Sequence, residues 1–479
     1  MMTRHRLLPA LFAAAALSGC MVGPNFKAPA APGEGGYAMK GDAPAPADVA
    51  LGAPPTGPWW TAFGSAALND TVALALKGNP TLEVADANLG QARAATAAAR
   101  GGLYPELDAN AGVQRERINL ASYGFSSFPG VSSNPEFTLY SVGLSASYAI
   151  PSTGGIKRQI ESAAARAEAE RHQADAAALT LTGQVATQAA VIAATRAEIA
   201  TEEAILADDR QNLDLARRAE AVGGEASGQR VGAQSQLASD EARLPPLRQQ
   251  LAAARHQLAI LVGKAPADWT PPDFDLADLK APARVPVSLP SALVRRRPDI
   301  LAAEAELHAA TADIGVATAK LYPNLTLTGA LTQSQLSPDK VFTFPGTAYD
   351  IGLGLTQPIF DGGRLRAERK QAVEARRAAA ATYQLTVVRA FGQVADLLQA
   401  LAHDDEAIAA ETRAANAAAA NLRLARAGYG EGGLGLLPVI DAERTYNMAR
   451  RELIQAKAQR YLDVIQLYIA TAADWTAVR

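Results

Sequence analysis

Asn79 to Leu107 overlays Arg297 to Leu325 without a gap at a shift of 218 residues. A chain built from two copies of one unit has far fewer folds open to it than its 479 residues would otherwise allow. Pro80, Ala85, Leu89, Leu103, Tyr104 and Pro105 meet Pro298, Ala303, Leu307, Leu321, Tyr322 and Pro323. Further on the shift falls to 209, where Val142, Gly143 and Leu144 meet Ile351, Gly352 and Leu353, and Asn212, Leu213, Gly223 and Gly224 meet Asn421, Leu422, Gly432 and Gly433. Nine residues are therefore extra in the first copy between Leu107 and Val142, the mark of a longer exposed connection.

Each copy reads as helix, strand, loop, strand, long helix, turn and helix. The first helix runs from about Pro80 to Arg100, and Pro105 forbids its continuation. Leu325, Leu327 and Leu331 then alternate with Asn324, Thr326, Thr328 and Thr332, the period of a two-faced strand. Tyr140 to Tyr148 and Tyr349 to Thr356 alternate in the same way, with Ser, Gly, Asp and Thr on the polar face. The loops 119–137 and 333–348 are rich in Ser, Gly, Pro and aromatics such as Tyr123, Phe125, Phe128, Phe342 and Phe344, a surface loop composition compatible with an aromatic girdle. From about Lys157 to Val222 there is no proline, which predicts a rod of roughly 100 Å at 1.5 Å per residue. Val185, Ile192, Ile199, Leu206 and Leu213 recur every seven residues along it, as do Val387, Val394, Leu401, Ile408, Ala415 and Leu422 in the second copy. Leu237, Leu244, Leu251 and Leu258 repeat the spacing in the partner helix, so paired helices that supercoil are predicted. Pro245 and Pro246 should bend that partner helix or remove ladder hydrogen bonds.

Composition removes several function classes. About one residue in five is alanine, which suits close helix packing. The 45 basic and 48 acidic residues nearly cancel, so no field that would gather nucleic acid is expected. One cysteine and five scattered histidines leave no disulfide framework and no zinc site; no metal or catalytic residues are assigned, and the chain does not read as an enzyme. His172, His256, His308 and His403 show no ligand spacing. Gly428, Gly430 and Gly433 match GxGxxG but follow a helix end instead of a strand, and read as a turn. Gly223 and Gly224, and Gly432 and Gly433, are placed at the tips where each helical hairpin turns.

Arg4, His5 and Arg6 precede the apolar stretch Leu7 to Leu17, which is too short to span a bilayer and reads as an export signal. Leu17, Ser18, Gly19 and Cys20 resemble a bacterial lipobox, which makes Cys20 an acylated membrane anchor carrying palmitate-type chains, the only covalent group expected. Met21 replaces the aspartate typical of inner-membrane retention, so this resemblance implies the outer membrane. No other stretch reaches about 18 consecutive apolar residues, so a membrane crossing would have to use strands. Four strands cannot close alone, and open edges in lipid cost several kcal/mol for each unpaired backbone group. Closure must come from sister chains. Three of them supply twelve strands, a barrel about 24 Å across at a spacing of about 4.8 Å and a tilt near 40°.

The lipobox, Cys20-Met-Val-Gly-Pro24, Arg296-Arg-Pro-Asp-Ile300, the paired Leu-Tyr-Pro signatures and Pro358-Ile-Phe-Asp-Gly-Gly-Arg364 together resemble the TolC-like outer membrane factors. The likeness is to the NodT-type lipoprotein branch that serves resistance-nodulation-division (RND) efflux pumps, and it covers essentially the whole mature chain. It implies an α+β membrane protein: a homotrimeric channel with a twelve-stranded β-barrel, four strands per chain, on a long α-helical coiled-coil tunnel in the periplasm. It also implies a periplasmic adaptor (membrane fusion) protein, an inner membrane RND transporter and outer membrane lipid as partners. The expected division is a signal peptide over 1–19, a lipidated N-terminal segment over 20–78, repeats over 79–263 and 291–473, an equatorial linker over 264–290 and a tail over 474–479. Trp59 and Trp60 join the equatorial belt in this scheme. The expected function is a passive duct exporting small toxic compounds. The alternatives are an exit channel for protein secretion and a coiled-coil scaffold lipoprotein that forms no pore. By the resemblance, Asp441 is the nearest acidic residue for a periplasmic gate. A helix-surface aspartate paired with Arg444 or Arg413 is the other reading, and Pro438 stands where relatives carry a further acid.

Overall fold

The computed structural model describes residues 21–30, 36–53, 57–123, 134–221, 227–280, 282 and 284–472. In chain order these form β1 (Val49–Leu51), a short 3-10 helix (Trp59–Phe63), α1 (Ala66–Gly78), α2 (Pro80–Gly101), β2 (Glu106–Arg117), β3 (Glu136–Ile150) and α3 (Gly155–Ala221). Then follow α4 (Ser227–Glu241), α5 (Leu244–Leu261), β4 (Val285–Val287), α6 (Pro290–Leu293), α7 (Pro298–Ala319), β5 (Asn324–Gln335), β6 (Thr347–Thr356), α8 (Arg364–Gly430) and α9 (Leu436–Ala470).

The repeat governs this order. α2 and α7 each have 22 residues, β2 and β5 each have 12, and α3 and α8 each have 67. α9 spans in one piece what α4 and α5 span in two. The break falls at Ala242 and Arg243, just before Pro245 and Pro246, whose missing N–H groups are harmless in the first turn of a new helix. The equivalent positions in α9 are Ile454 and Gln455, and that helix continues. Each copy also ties its first helix to the end of its last. Asn79 Nδ2 donates to the Leu261 carbonyl (2.8 Å), and Arg297 Nη1 donates to the Ala470 carbonyl (2.9 Å) at the equivalent place. Arg297 also grips Asp299 (2.7 Å), which explains the Arg-Arg-Pro-Asp segment as a structural tie.

By packing, the chain divides into two compact units. One comprises Met1–Pro29, Leu89–Ala169 and Glu304–Thr382, and holds the strands β2, β3, β5 and β6. The other comprises Ala30–Asn88, Glu170–Ala303 and Tyr383–Arg479. Its core centres on Trp59, Trp60 and Phe63, all buried, with Trp59 stacked on Tyr468 at 5.5 Å and donating to Thr182 Oγ1 (3.3 Å). Val185, Ile192, Val394 and Leu401 of the seven-residue stripes are buried in the same core, and Leu213 and Leu422 in a second one. Around the core the strands β1 and β4 pair in parallel, Val49 opposite Val285 and Leu51 opposite Val287. Sequence reading misses this ribbon because three-residue strands carry no period. It also places no helix at α1, although Ser65 caps it by accepting from the Leu68 N–H.

One expectation needs correction. α3 and α8 each contain an alanine-rich stretch long and apolar enough in average composition to cross a bilayer, although neither is an unbroken apolar run. In α3 most of that stretch is buried within the chain, as expected of a bundle helix.

Candidate functional site: a two-faced sheet with open edges

β2, β3, β5 and β6 form one antiparallel sheet in the order β2-β3-β5-β6. Its register places like with like. Leu144 lies opposite Leu331, Tyr148 opposite Leu327, Leu325 opposite Leu355 and Leu331 opposite Tyr349. Ala109 and Val113 of β2 lie opposite Leu144 and Tyr140. The apolar residues of the four strands therefore share one continuous face, and Leu107, Val113, Leu327, Tyr349, Ile351, Leu353 and Leu355 on it are exposed. Ser141, Ser145, Ser147, Thr326, Thr328 and Asp350 share the other face, where Asn110 Nδ2 donates to Ser145 Oγ (3.1 Å). Among the described residues β2 and β6 are each paired on one side only. A sheet with a bare apolar face, a polar face and two open edges is not a finished structure in water or in lipid.

The nine extra residues of the first copy fall in the connection 118–135 and in the earlier start of β3 relative to β6. Of the loop aromatics, Phe125 and Phe128 lie outside the described residues and Phe342 is exposed.

Cys20 lies outside the described residues, but the segment after it is held in the sheet-bearing unit. Arg158, 1% exposed, donates from Nε to the Val22 carbonyl (3.1 Å) and from Nη2 to the Gly23 carbonyl (3.3 Å) and Asn25 Oδ1 (2.7 Å). Its charge is met by Glu161 at 2.7 Å. Phe26 stacks on His308 at 4.4 Å, and His308 Nε2 sits 3.0 Å from Glu161 Oε1. Small residues make room: a Cβ on Gly23 (φ +91°) would lie 2.5 Å from the Gly315 Cα, and one on Gly315 would lie 2.6 Å from Arg158 Cγ. Sequence reasoning missed Arg158, because an arginine in the first turn of a long helix looks like any solvated charge until its partners are known.

In the other unit Asp441 lies exposed in the second turn of α9. Among the described residues it pairs with neither Arg444 nor Arg413, and its carbonyl accepts from Thr445 Oγ1 (3.0 Å). Pro438 falls within the first turn, where no ladder bond is lost. Of the tip turns, Gly223 and Gly224 lie outside the described residues. Gly432 has φ +74° and closes α8, while Gly433, which does not share the positive φ, donates to the Gly428 carbonyl (2.9 Å). A Cβ on Gly428 would meet the Leu434 side chain at 2.6 Å, so these glycines form a turn and not a phosphate loop.

A charged cluster that sequence reasoning did not single out lies between α3, α4 and α9. Arg451 donates to Glu202 (2.8 and 2.9 Å) and to Asp240 (2.9 Å), and both acids are buried. Glu443, also buried, bonds Asn212 and Arg426. Burial, then the neighbouring Asp240, pushes the Asp209 carboxyl up to about 7. Histidines found no shared site: His308 is in the clamp, His403 sits near Glu406 (3.4 Å) and His256 is exposed.

Comparison with known proteins agrees with this geometry. Residues 71–264 and 289–473 match the family model described as outer membrane efflux protein. The pyoverdine export outer membrane protein OpmQ of Pseudomonas aeruginosa is 31% identical over 92% of this chain and 95% of its own length. Nodulation protein T of Rhizobium leguminosarum bv. trifolii is 28% identical over 92% of this chain and 91% of its own length. Among solved structures, the outer-membrane channel OprN superposes with a TM-score of 0.86 at 27% identity, over 95% of this chain and all of that one. With the fold of these channels and a sheet that carries four strands per chain, this chain belongs to the outer membrane efflux protein family and is an outer membrane channel of the TolC-like, NodT-type branch.

Proposed function

We propose that three copies of the chain close a twelve-stranded barrel and work as a passive duct for small toxic compounds, together with a periplasmic adaptor and an inner membrane RND transporter. The open-edged sheet with its exposed apolar face carries this reading, since only neighbouring copies satisfy both edges while lipid covers the face. Transport through such a wall needs shape, wetting and gating and no bond chemistry, so an enzymatic role is not proposed. Cys20 is the acylated anchor, and the Arg158 clamp supports this by fixing the segment that follows it. Asp441, exposed and free of ion pairs among the described residues, is proposed as one third of a ring of charge at the periplasmic constriction.

The test is single-channel recording of the purified protein in planar bilayers, with Asp441→Asn beside the parent. Conductance that rises in the variant supports duct and gate. A protein that opens no pore in either form refutes the duct and leaves the scaffold reading. Deletion strains assayed for drug sensitivity and for exported protein separate efflux from secretion.

A further inference from the structure

Each sheet edge has a repeat-equivalent inside the same chain. β3 and β5 are the second strand of copy one and the first strand of copy two, and they pair with Leu144 opposite Leu331, Ser145 opposite Ala330, Ala146 opposite Gly329 and Ile150 opposite Leu325. β6 and β2 are the matching strands at the opposite ends of the two copies, related to β3 and β5 by the shifts of 209 and 218 residues. The covered and bare members of these pairs differ in a consistent way. Ile150, Pro151 and Leu325 are half-buried. Their equivalents Ile359, Phe360 and Leu107 are 90%, 92% and 69% exposed. Tyr104, which precedes β2, is likewise barer than its equivalent Tyr322. The same positions are covered where copy two follows copy one within the chain, and uncovered where no such neighbour exists.

We propose that β6 of one subunit pairs with β2 of the next in the register that β3 and β5 display, with Leu353 opposite Val113, Gly354 opposite Gly112, Leu355 opposite Ala111 and Ile359 opposite Leu107 of the neighbouring copy. This rests on the trimeric reading and adds to it the address of the seam. The register keeps faces matched, because Leu353, Leu355 and Ile359 meet apolar residues and Gly354 meets glycine. It also extends the pairing past the end of β6. The segment Pro358 to Phe360 then lies against the start of the neighbour's β2, which covers the most exposed large apolar residues on the chain. Lipid alone would cover the sheet face, but it would leave the backbone N–H and C=O groups of both edges unpaired. Asp361 holds this segment in place, accepting from the N–H groups of Gly363 and Leu365 (2.9 Å each).

Cysteine pairs test the seam in the full-length lipoprotein, with Cys20 retained and single-cysteine variants as background. Opposite side chains across an antiparallel pair lie about 4.5–5.5 Å apart at Cβ, within reach of a disulfide, whereas a slip of two residues displaces them by about 6.7 Å. Hydrogen-bonded and non-hydrogen-bonded pairs alternate, so the adjacent pairs Gly354→Cys with Gly112→Cys and Leu353→Cys with Val113→Cys are both made, and one has the tighter geometry. The expected result is oxidation to a trimer-sized species on a denaturing gel from at least one of them. Leu353→Cys with Ala111→Cys, and Leu353→Cys with Arg115→Cys, should give only background. Cross-linking confined to a slipped pair overturns the register and leaves the trimer standing. A protein that stays trimeric by mass in detergent yet cross-links through none of these pairs overturns the β6–β2 seam. A monomer by mass in detergent refutes the trimeric reading itself.

Discussion

Replacing Arg451 by methionine removes the one cation that Glu202 and Asp240 share and keeps the length and much of the apolar volume of the side chain. The three residues join α3, α4 and α9, and both acids are almost wholly buried while Arg451 has a side chain 19% exposed. Deleting one member of such a group leaves buried charge without a partner, and the cost is about 3–5 kcal/mol. At the lower figure the local opening equilibrium shifts by about a hundredfold, since about 1.4 kcal/mol is a factor of ten. Arg255 serves as the comparison, because it stands 3.9 Å from the exposed Asp273 and its loss should cost under about 1 kcal/mol. Hydrogen–deuterium exchange on the detergent-solubilised channel reads the difference, with faster exchange expected around 202, 240 and 451 in Arg451→Met and little change in Arg255→Met. Adding Glu202→Gln and Asp240→Asn to Arg451→Met should recover most of the protection, because the stranded charges are gone. If Arg451→Met exchanges no faster than Arg255→Met, the cluster does not hold these helices together and the reasoning fails.

Two further outcomes follow from the same geometry. The folded state holds the Asp209 proton up to about pH 7 while the unfolded chain releases it near 3.8, so stability is highest below that window and falls as pH rises through it; between pH 6 and pH 8 the loss is about 1 kcal/mol, and Asp209→Asn should flatten the thermal stability profile there, an unchanged slope counting against it. Arg158→Met removes the bonds to Val22, Gly23 and Asn25 and should make the segment after Cys20 open to protease at least tenfold faster, from a loss of about 1.5–3 kcal/mol for hydrogen bonds to a charged group, whereas equal cleavage in both proteins would show that the clamp does not hold it.

Much of the architecture can be read from residue order, since the duplicated pattern carries it twice. The helix starts at Pro80 and Pro298, the equal lengths of α3 and α8 and the apolar face of each strand all follow from local rules about proline, alanine and alternation. The site was legible only in part. The face of the sheet was visible in the alternation, but its order and register were not, because pairing between β3 and β5 joins residues far apart in the chain. Pro245 and Pro246 were flagged as a disturbance, and the structure turned it into a clean break between two helices. Arg158, Glu202, Asp240 and Arg451 gave no warning, since a charge that will be buried has the same letter as one that stays in water.

What the chain fixed by itself is therefore everything with a period: two copies, two long rods, four alternating strands and an export signal ahead of a single cysteine. Periodicity is enforced by steric and solvation rules acting over a few neighbouring residues, and such rules leave a trace in order alone. Tertiary structure decided what depends on meeting across distance. It set the order of the strands, the parallel ribbon of β1 and β4, the ties from Asn79 and Arg297 to the ends of α5 and α9, and the partners of every buried charge. The reason is that desolvation and hydrogen bonding are settled by which groups arrive beside each other in the fold, and that is not a local property of the chain.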